Sequence, residues 1–230
     1  MGKASKKAVI ILSGGLDSTT CMGIALDQGY ELYPLTFDYG QRHIMEIENA
    51  RAVAAFYGTE QRHKVVPLSF LREIGGSALT DDTIDVPEGE EAEGEIPVTY
   101  VPGRNLLFLS IATSYAEVIG AEAIYIGVNA LDYSGYPDCR PDFIRKVEDV
   151  IAVATKVGVE GKPITIQTPL IEWTKADIIK EGMRLGVPYK LTTSCYNGHD
   201  EACGVCDSCR LRLKGFAAAG ETDPIRYAKR

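Results

Sequence analysis

A strand that runs into two glycines, with hydroxyls on either side and a carboxylate close behind, has the makings of a phosphate-holding loop. Ser13-Gly14-Gly15-Leu16-Asp17-Ser18 follows the β-branched run Ala8-Val9-Ile10-Ile11-Leu12 and leads into a helical stretch with Thr19-Thr20. At such a junction the first N–H groups of the helix lack partners, and the helix dipole favours negative charge. Adjacent glycines let the backbone approach phosphate oxygens. Ser13, Ser18 and Thr19 add hydroxyl donors. The plainer alternative is an ordinary turn in which Ser18 caps the helix. Asp17 has two readings. A carboxylate beside polyphosphate calls for a cation such as Mg²⁺ between them, or it bonds loop amides at the helix start. Neither G-x-x-x-x-G-K-[ST] nor G-x-G-x-x-G occurs in the chain.

A second constellation lies near the other end. Cys195, Cys203, Cys206 and Cys209 have the spacing C-x7-C-x2-C-x2-C. Four thiolates suit tetrahedral zinc, and a closed all-cysteine site has no open position for catalysis, so the ion is read as structural. An iron–sulfur cluster is the chemical alternative. His199 lies between the first two cysteines and is read as a solvated loop residue. The metal would cross-link a loop-rich tail with little core of its own. Cys21 is read as a packing residue in the first helix. Cys139 has Asp138 and Arg140 as companions rather than a histidine base, which weighs against a nucleophile.

The elements that must position these groups alternate. Strands are expected at Ala8–Leu12, Leu32–Phe37, Lys64–Pro67, Ala123–Val128 and Ile164–Ile166. Helices are expected at Asp17–Leu26, Gln41–Tyr57, Asn105–Ile119, Asp142–Lys156 and Lys175–Leu185. That order predicts an α/β fold with a parallel sheet. Residues 72–103, with Gly75-Gly76, an acidic stretch at 88–95 and three prolines, break the rhythm and suggest a lid or mobile binding segment. The expected division is 1–191 for the nucleotide-binding α/β domain and 192–230 for the cysteine segment.

Among the 230 residues, 45% are hydrophobic and 24% charged, which are ordinary globular values. The net charge of −8 argues against a long nucleic-acid footprint, which usually needs a basic face. No apolar run approaches the roughly 20 residues of a membrane helix. The basic start, Met1 to Lys7, precedes too short an apolar run for a secretory signal. Crowded Cys-x-x-Cys pairs suit a reducing compartment, so a cytoplasmic location is expected.

The string Ser13 to Ser18 resembles the SGGxDS loop of the PP-loop ATP pyrophosphatases. That resemblance implies a Rossmann-like sheet of the adenine nucleotide alpha-hydrolase type, release of pyrophosphate, and transfer of AMP to the substrate. It implies ATP contacts along Leu12, Ser13, Gly14, Gly15, Leu16, Asp17, Ser18, Thr19, Thr20, Cys21 and Met22. Further motifs narrow the family: Phe37-Asp38-Tyr39-Gly40-Gln41-Arg42-His43, Val101-Pro102-Gly103-Arg104-Asn105, and Gly127 through Arg140. With Thr168-Pro169-Leu170, Lys175-Ala176-Asp177 and Ser194-Cys195-Tyr196, these resemble the 7-cyano-7-deazaguanine synthases, in order over about residues 8 to 216.

The resemblance implies that 7-carboxy-7-deazaguanine, ammonia and ATP give 7-cyano-7-deazaguanine, a precursor of queuosine or archaeosine. An adenylated carboxylate would yield an amide, and an adenylated amide would yield the nitrile. AMP at both steps and ADP overall both remain open. Family placement puts Lys175 near the ATP phosphates. Asp17, Ser18, Lys175 and Arg104 are the expected catalytic set. Arg104 suits a phosphate or the substrate carboxylate, with a surface ion pair as the alternative. Tyr136 is suited to stack on the deazapurine, Asp138 to accept from its guanine-type N–H groups, and Arg140 to complete the substrate set. Arg42 and His43 face the nucleotide or merely start a helix, the latter preferred for His43. A homodimer with one zinc per chain, using free ammonia in the absence of any sign of a glutaminase domain, completes the expectation. RNA-adenylating relatives share the loop but need a basic docking surface. A relative modifying another acceptor also remains open.

Overall fold

The computed structural model describes residues 5–40, 44–87, 96–130, 135–197 and 201–228. Five strands, β1 (Lys7–Ile11), β2 (Glu31–Asp38), β3 (Lys64–Pro67), β4 (Ala123–Tyr125) and β5 (Thr165–Gln167), form one sheet in the order β3-β2-β1-β4-β5. Every pairing is parallel, as strands joined by helical crossovers must be. The helices are α1 (Leu16–Asp27), α2 (Ile44–Phe56), α3 (Phe70–Ile74), α4 (Arg104–Ile119), α5 (Pro141–Ala154), α6 (Lys156–Val159), α7 (Lys175–Arg184) and α8 (Asp207–Ala219).

Alternation along β1 sends its side chains to two separate cores. Val9 and Ile11 join Ile124, Phe108, Leu109, Ile144 and Val147, beneath α4 and α5. Ala8 and Ile10 join Met22, Val53, Ile178 and Phe216, beneath α1, α2, α7 and α8. The central strand β1 is therefore apolar on both faces, as a strand covered by helices on both sides requires.

Several details differ from the sequence expectation. The strand expected over Ala123–Val128 ends at Tyr125, and residues 126–128 leave the ladder to line a cleft. The helix expected to reach Lys156 stops at Ala154. Thr155 is extended there and caps α6, its hydroxyl accepting from Gly158 N–H at 3.0 Å. The cysteine tail is not poor in core: α8 is a thirteen-residue helix whose Arg212, Gly215 and Phe216 are buried. The 72–103 insertion is irregular in its described parts beyond α3, and Ala78 N–H donating to Val98 O at 2.8 Å ties its two ends together.

α7 begins with a capping box in which Thr174 and Asp177 satisfy one another's backbone N–H groups. Its Gly182 faces Tyr189, whose hydroxyl bridges Thr20 at 2.8 Å and Ile178 O at 3.1 Å. A Cβ at Gly182 would overlap the Tyr189 hydroxyl and ring. Alanine gains about 1 kcal/mol of helix propensity over glycine, but overpacking a filled core costs about 1–3 kcal/mol. Gly182→Ala is therefore expected to lower the denaturant midpoint despite the better helix former. An unchanged or higher midpoint would show that Tyr189 yields without cost.

Candidate active site and metal centre

The sheet order reverses direction between β1 and β4, which opens a crevice at their C-terminal ends, the place where doubly wound folds bind ligands. The Ser13–Ser18 loop lies there, between β1 and α1. Gly14 has φ +80° and packs so closely on α2 that a Cβ would stand 2.7 Å from Ala50 N. Ser18 Oγ donates to Gly15 O at 3.2 Å and accepts from Ser13 N–H at 3.2 Å, with Ser13 Oγ 3.0 Å away. Gly15 caps α1 without any side-chain bond. Among the described residues, the N–H groups of Leu16, Asp17 and Ser18 have no acceptor. These are the unpaired donors an anion would satisfy.

Asp17 bonds no loop amide among the described residues; its partner is a lysine. Both its oxygens accept from Lys175 Nζ at 2.9 Å, with the side chains 18% and 9% exposed. The ammonium arrives from the first turn of α7, where the helix dipole disfavours a cation. The Asp17 carboxylate compensates for that. A bulkier ligand charge at the loop would compete for the same ammonium.

One cleft joins the loop to a second group of residues. Leu12, Ser13, Gly15, Leu16, Asp17 and Ser18 form its phosphate-loop wall. Thr19, Thr20, Cys21 and Met22, expected as nucleotide contacts, do not line it. They are fully buried behind the loop, Thr19 donating to Gly15 O and Thr20 to Leu16 O. Helical rotation turns residues past the first turn toward the core. Gly14 likewise packs on α2 and lies outside the lining. Lys175 is not among the lining residues, but its ammonium holds Asp17, which is.

Across from the loop the cleft is aromatic. Phe37 stacks on Phe108 with centroids 4.1 Å apart, and Tyr39 lies 5.8 Å from Phe108. Arg104 is the first residue of α4 after Gly103 in the left-handed conformation, and its guanidinium lies 5.9 Å over the Tyr39 ring. Burial works against the Arg104 charge, but Tyr39, Tyr136, Asp138 and Cys139 around it keep its pKa raised. Burial pushes the Tyr39 phenol up to about 12, with Arg104 pulling the other way.

Tyr136 lines the same wall, and its hydroxyl meets Thr99 at 2.6 Å, which pins the insertion to the cleft. Asp138 is buried just behind, flanked by the lining residues Asn105 and Cys139. Its Oδ2 accepts from Asn105 N–H at 3.1 Å, while Oδ1 is buried with no hydrogen-bond partner among the described residues. Burial raises the Asp138 pKa, opposed by Asn105 and Arg104. Such an orphaned oxygen is costly unless a ligand supplies the donor. Burial also pushes the Cys139 thiol up to about 12, reinforced by Asp138, so it is a neutral thiol and no ready nucleophile. Arg140 is the exposed N-cap residue of α5 and does not line the cleft.

Glu46, Phe108, Thr193 and Ser208 also line the cleft. Their local sequence carries no sign of this, because each is brought in by packing between distant segments. Arg42, His43, the acidic stretch 88–95, Leu131–Ser134 and His199 lie outside the described residues.

The four cysteines form a metal-binding cluster whose sulfurs all lie within 4.8 Å of one another. Zinc–sulfur bonds of about 2.3 Å in a tetrahedron separate the sulfurs by just under 4 Å, so the set fits such an ion. Backbone N–H groups of Asn197 and Cys203 donate to Cys195 Sγ at 3.4 and 3.3 Å, and those of Val205 and Cys206 to Cys203 Sγ at 3.5 and 3.3 Å. N–H donors aimed at sulfur stabilise thiolates and orient them for a cation.

No helix among the described residues is long and apolar enough to cross a membrane. A family model described as Queuosine biosynthesis protein QueC matches residues 7–220. The chain is 61% identical over 223 residues to the 7-cyano-7-deazaguanine synthase of Oceanobacillus iheyensis, covering 96% of this chain and 98% of that one. It is 62% identical over 227 residues to the enzyme of the same name from Saccharophagus degradans, covering 98% and 99%. Among solved structures, NMN synthetase from Francisella tularensis superposes with a TM-score of 0.50 at 15% identity, over 95% of this chain and 79% of that one. That likeness concerns the fold. With the phosphate loop, the cysteine cluster and this match over nearly its whole length, the chain belongs to the QueC family of queuosine biosynthesis proteins.

Proposed function

We propose that this chain converts 7-carboxy-7-deazaguanine, ammonia and ATP to 7-cyano-7-deazaguanine by adenylating first a carboxylate oxygen and then an amide oxygen. The observation that carries the proposal is that the phosphate loop and an aromatic, arginine-bearing recess share one cleft. A nucleotide on the unpaired N–H groups of Leu16 to Ser18 and a flat acid on the facing wall would bring phosphorus and oxygen together. Proximity of this kind supplies much of a catalytic barrier reduction.

The carboxylate oxygen attacks the α-phosphorus and pyrophosphate leaves. Ammonia then attacks the acyl carbon, the C–O bond to AMP breaks, and an amide forms. The amide oxygen attacks a second α-phosphorus, and loss of AMP with two protons from nitrogen leaves the nitrile. Ser18 and the loop amides hold the phosphates. Lys175 shifts its charge from Asp17 toward them, which would leave the Asp17 carboxylate free to hold a magnesium ion, the cation that would neutralise the polyphosphate. Arg104 orients the substrate carboxylate, Tyr136 contacts the flat ring, and Asp138 Oδ1 accepts from its guanine-type N–H groups. Arg140 lies outside the cleft and is not assigned a contact. Zinc is the ion proposed for the four thiolates, in a structural role. The same reading takes the working unit as a cytoplasmic homodimer that acts on small molecules and uses free ammonia. The net charge of −8 supports the lack of a nucleic-acid partner.

Incubation with the acid, ATP and ammonium, followed by mass spectrometry, is expected to yield the nitrile. Folded, metal-replete protein that forms none would overturn the proposal. Asp17→Ala and Ser18→Ala should each lower turnover by roughly a hundredfold or more with metal content still about one ion per chain. Loss of metal in these variants would mean that loop and cluster are not separable.

Asp138 gives a pH test. An acceptor role needs the ionised carboxylate, and its pKa is raised, so KM for the acid should climb as pH falls through that raised value. Asp138→Asn should raise KM at neutral pH about tenfold or more and remove this pH dependence. A variant with parental KM would exclude the contact.

A further inference from the structure

α8 begins at the metal cluster and ends in the core. Cys206 caps it and Cys209 sits in its first turn, so a bound ion fixes the start of this helix. Arg212 follows Cys209 by three residues, on the same helical face. Its side chain is 1% exposed, and each of its five N–H groups has an acceptor. Nε and Nη2 donate to the two oxygens of Asp223 at 2.7 and 3.0 Å. Nη2 also reaches Tyr189 O at 3.2 Å, and Nη1 reaches Thr192 Oγ1 at 2.8 Å and Ser194 Oγ at 3.4 Å. Asp223 is held in turn by the Tyr227 hydroxyl at 2.6 Å.

The acceptors at 192 and 194 bracket Thr193, whose N–H donates to Gly14 O at 3.1 Å. Thr193 and Ser194 also line the cleft, and Thr193 O would lie 3.4 Å from a Cβ at Gly15. The segment that Arg212 grips is therefore the outer support of the glycine pair. One turn further on, Gly215 leaves room for Lys175 to cross the helix. A Cβ there would stand 2.9 Å from Lys175 Cβ and overlap its Cγ. Lys175 then continues to Asp17.

We propose that Arg212 is a positioning residue for nucleotide binding: from the metal-anchored helix it fixes residues 192–194 against Gly14 and so holds the phosphate loop in its binding shape. It touches neither nucleotide nor acid. A buried arginine fork with every donor used suits this task because it sets three backbone segments at once. Lysine keeps the charge for Asp223 but cannot reach all of these acceptors.

This inference rests on ATP occupying the Ser13–Ser18 loop, and direct binding separates the two claims. Calorimetry with Mg²⁺ and a non-hydrolysable ATP analogue, on metal-replete protein without the acid, reads the loop alone. No binding by the parent protein would overturn both the loop assignment and this inference. If the parent binds, Arg212→Lys is expected to weaken affinity about tenfold or more with metal content unchanged. Thr192→Val removes one acceptor outside the cleft lining and should weaken it by a smaller factor. Combined with Arg212→Lys it should add little. Ile179→Val, a buried apolar trim where α7 packs beside Gly215 of α8, should lower the melting temperature and leave nucleotide affinity at the parental value.

Parental affinity in folded Arg212→Lys would overturn the proposal. Should that variant fail to fold, Thr192→Val decides, and parental affinity there overturns it. Equal loss of affinity in Ile179→Val would also do so, because any loosening of the α7–α8 packing would then suffice.

Discussion

A carboxylate on the first turn of α1 and an ammonium on the first turn of α7 meet at 2.9 Å, almost out of water. Taking both charges from water costs several kcal/mol each, and their attraction does not reliably repay it. The pair is therefore weak as a source of stability and strong as a constraint. Much of the architecture serves to bring the two groups together. β1 delivers Asp17 through the glycine turn. The capping box at Thr174 sets the start of α7, and the bare face of Gly215 lets the lysine chain pass across α8.

That constraint separates two kinds of binding surface within one cleft. On one side are unpaired N–H groups, short hydroxyls and a cation already held by a weaker anion, which together favour polyphosphate. On the other are Phe37, Phe108, Tyr39 and Tyr136, with the Arg104 guanidinium beside Tyr39 and an Asp138 oxygen that has no partner among the described residues. An apolar wall with few polar groups suits a flat heterocycle, since the ring contributes area while the polar atoms set its orientation. The neutral Cys139 thiol fits activation by adenylation rather than through a thioester.

The parts legible in the sequence were those whose chemistry is local. The glycine loop needs consecutive residues of particular types, and the Cys-x-x-Cys spacing brings sulfurs together without help from the rest of the fold. Strands β1 to β3 show as short apolar runs between turn residues, and their alternation with helices implies parallel pairing, whereas the order β3-β2-β1-β4-β5 needed the fold. α8 was missed because its polar and small residues, Arg210, Arg212, Lys214 and Gly215, hide any apolar period. Two of those four are buried for reasons that lie on other elements. The family resemblance carries Thr19 through Met22 along with the nucleotide loop, and helical rotation places their side chains in the core, which the string itself does not show. Glu46 and Ser208 reach the cleft through tertiary packing alone, which no window of sequence contains. The pairing of Asp17 with Lys175 spans 158 positions. Each residue was singled out separately, but their contact needed the fold.

The cleft is proposed to turn one substrate oxygen after another into a leaving group carried on AMP. The most direct test uses acid labelled in both carboxyl oxygens with ¹⁸O, turned over with ATP and ammonium. AMP bearing one ¹⁸O from each activation is expected, with two AMP formed per nitrile. Label found in inorganic phosphate or released to water, with unlabelled AMP, would contradict this route.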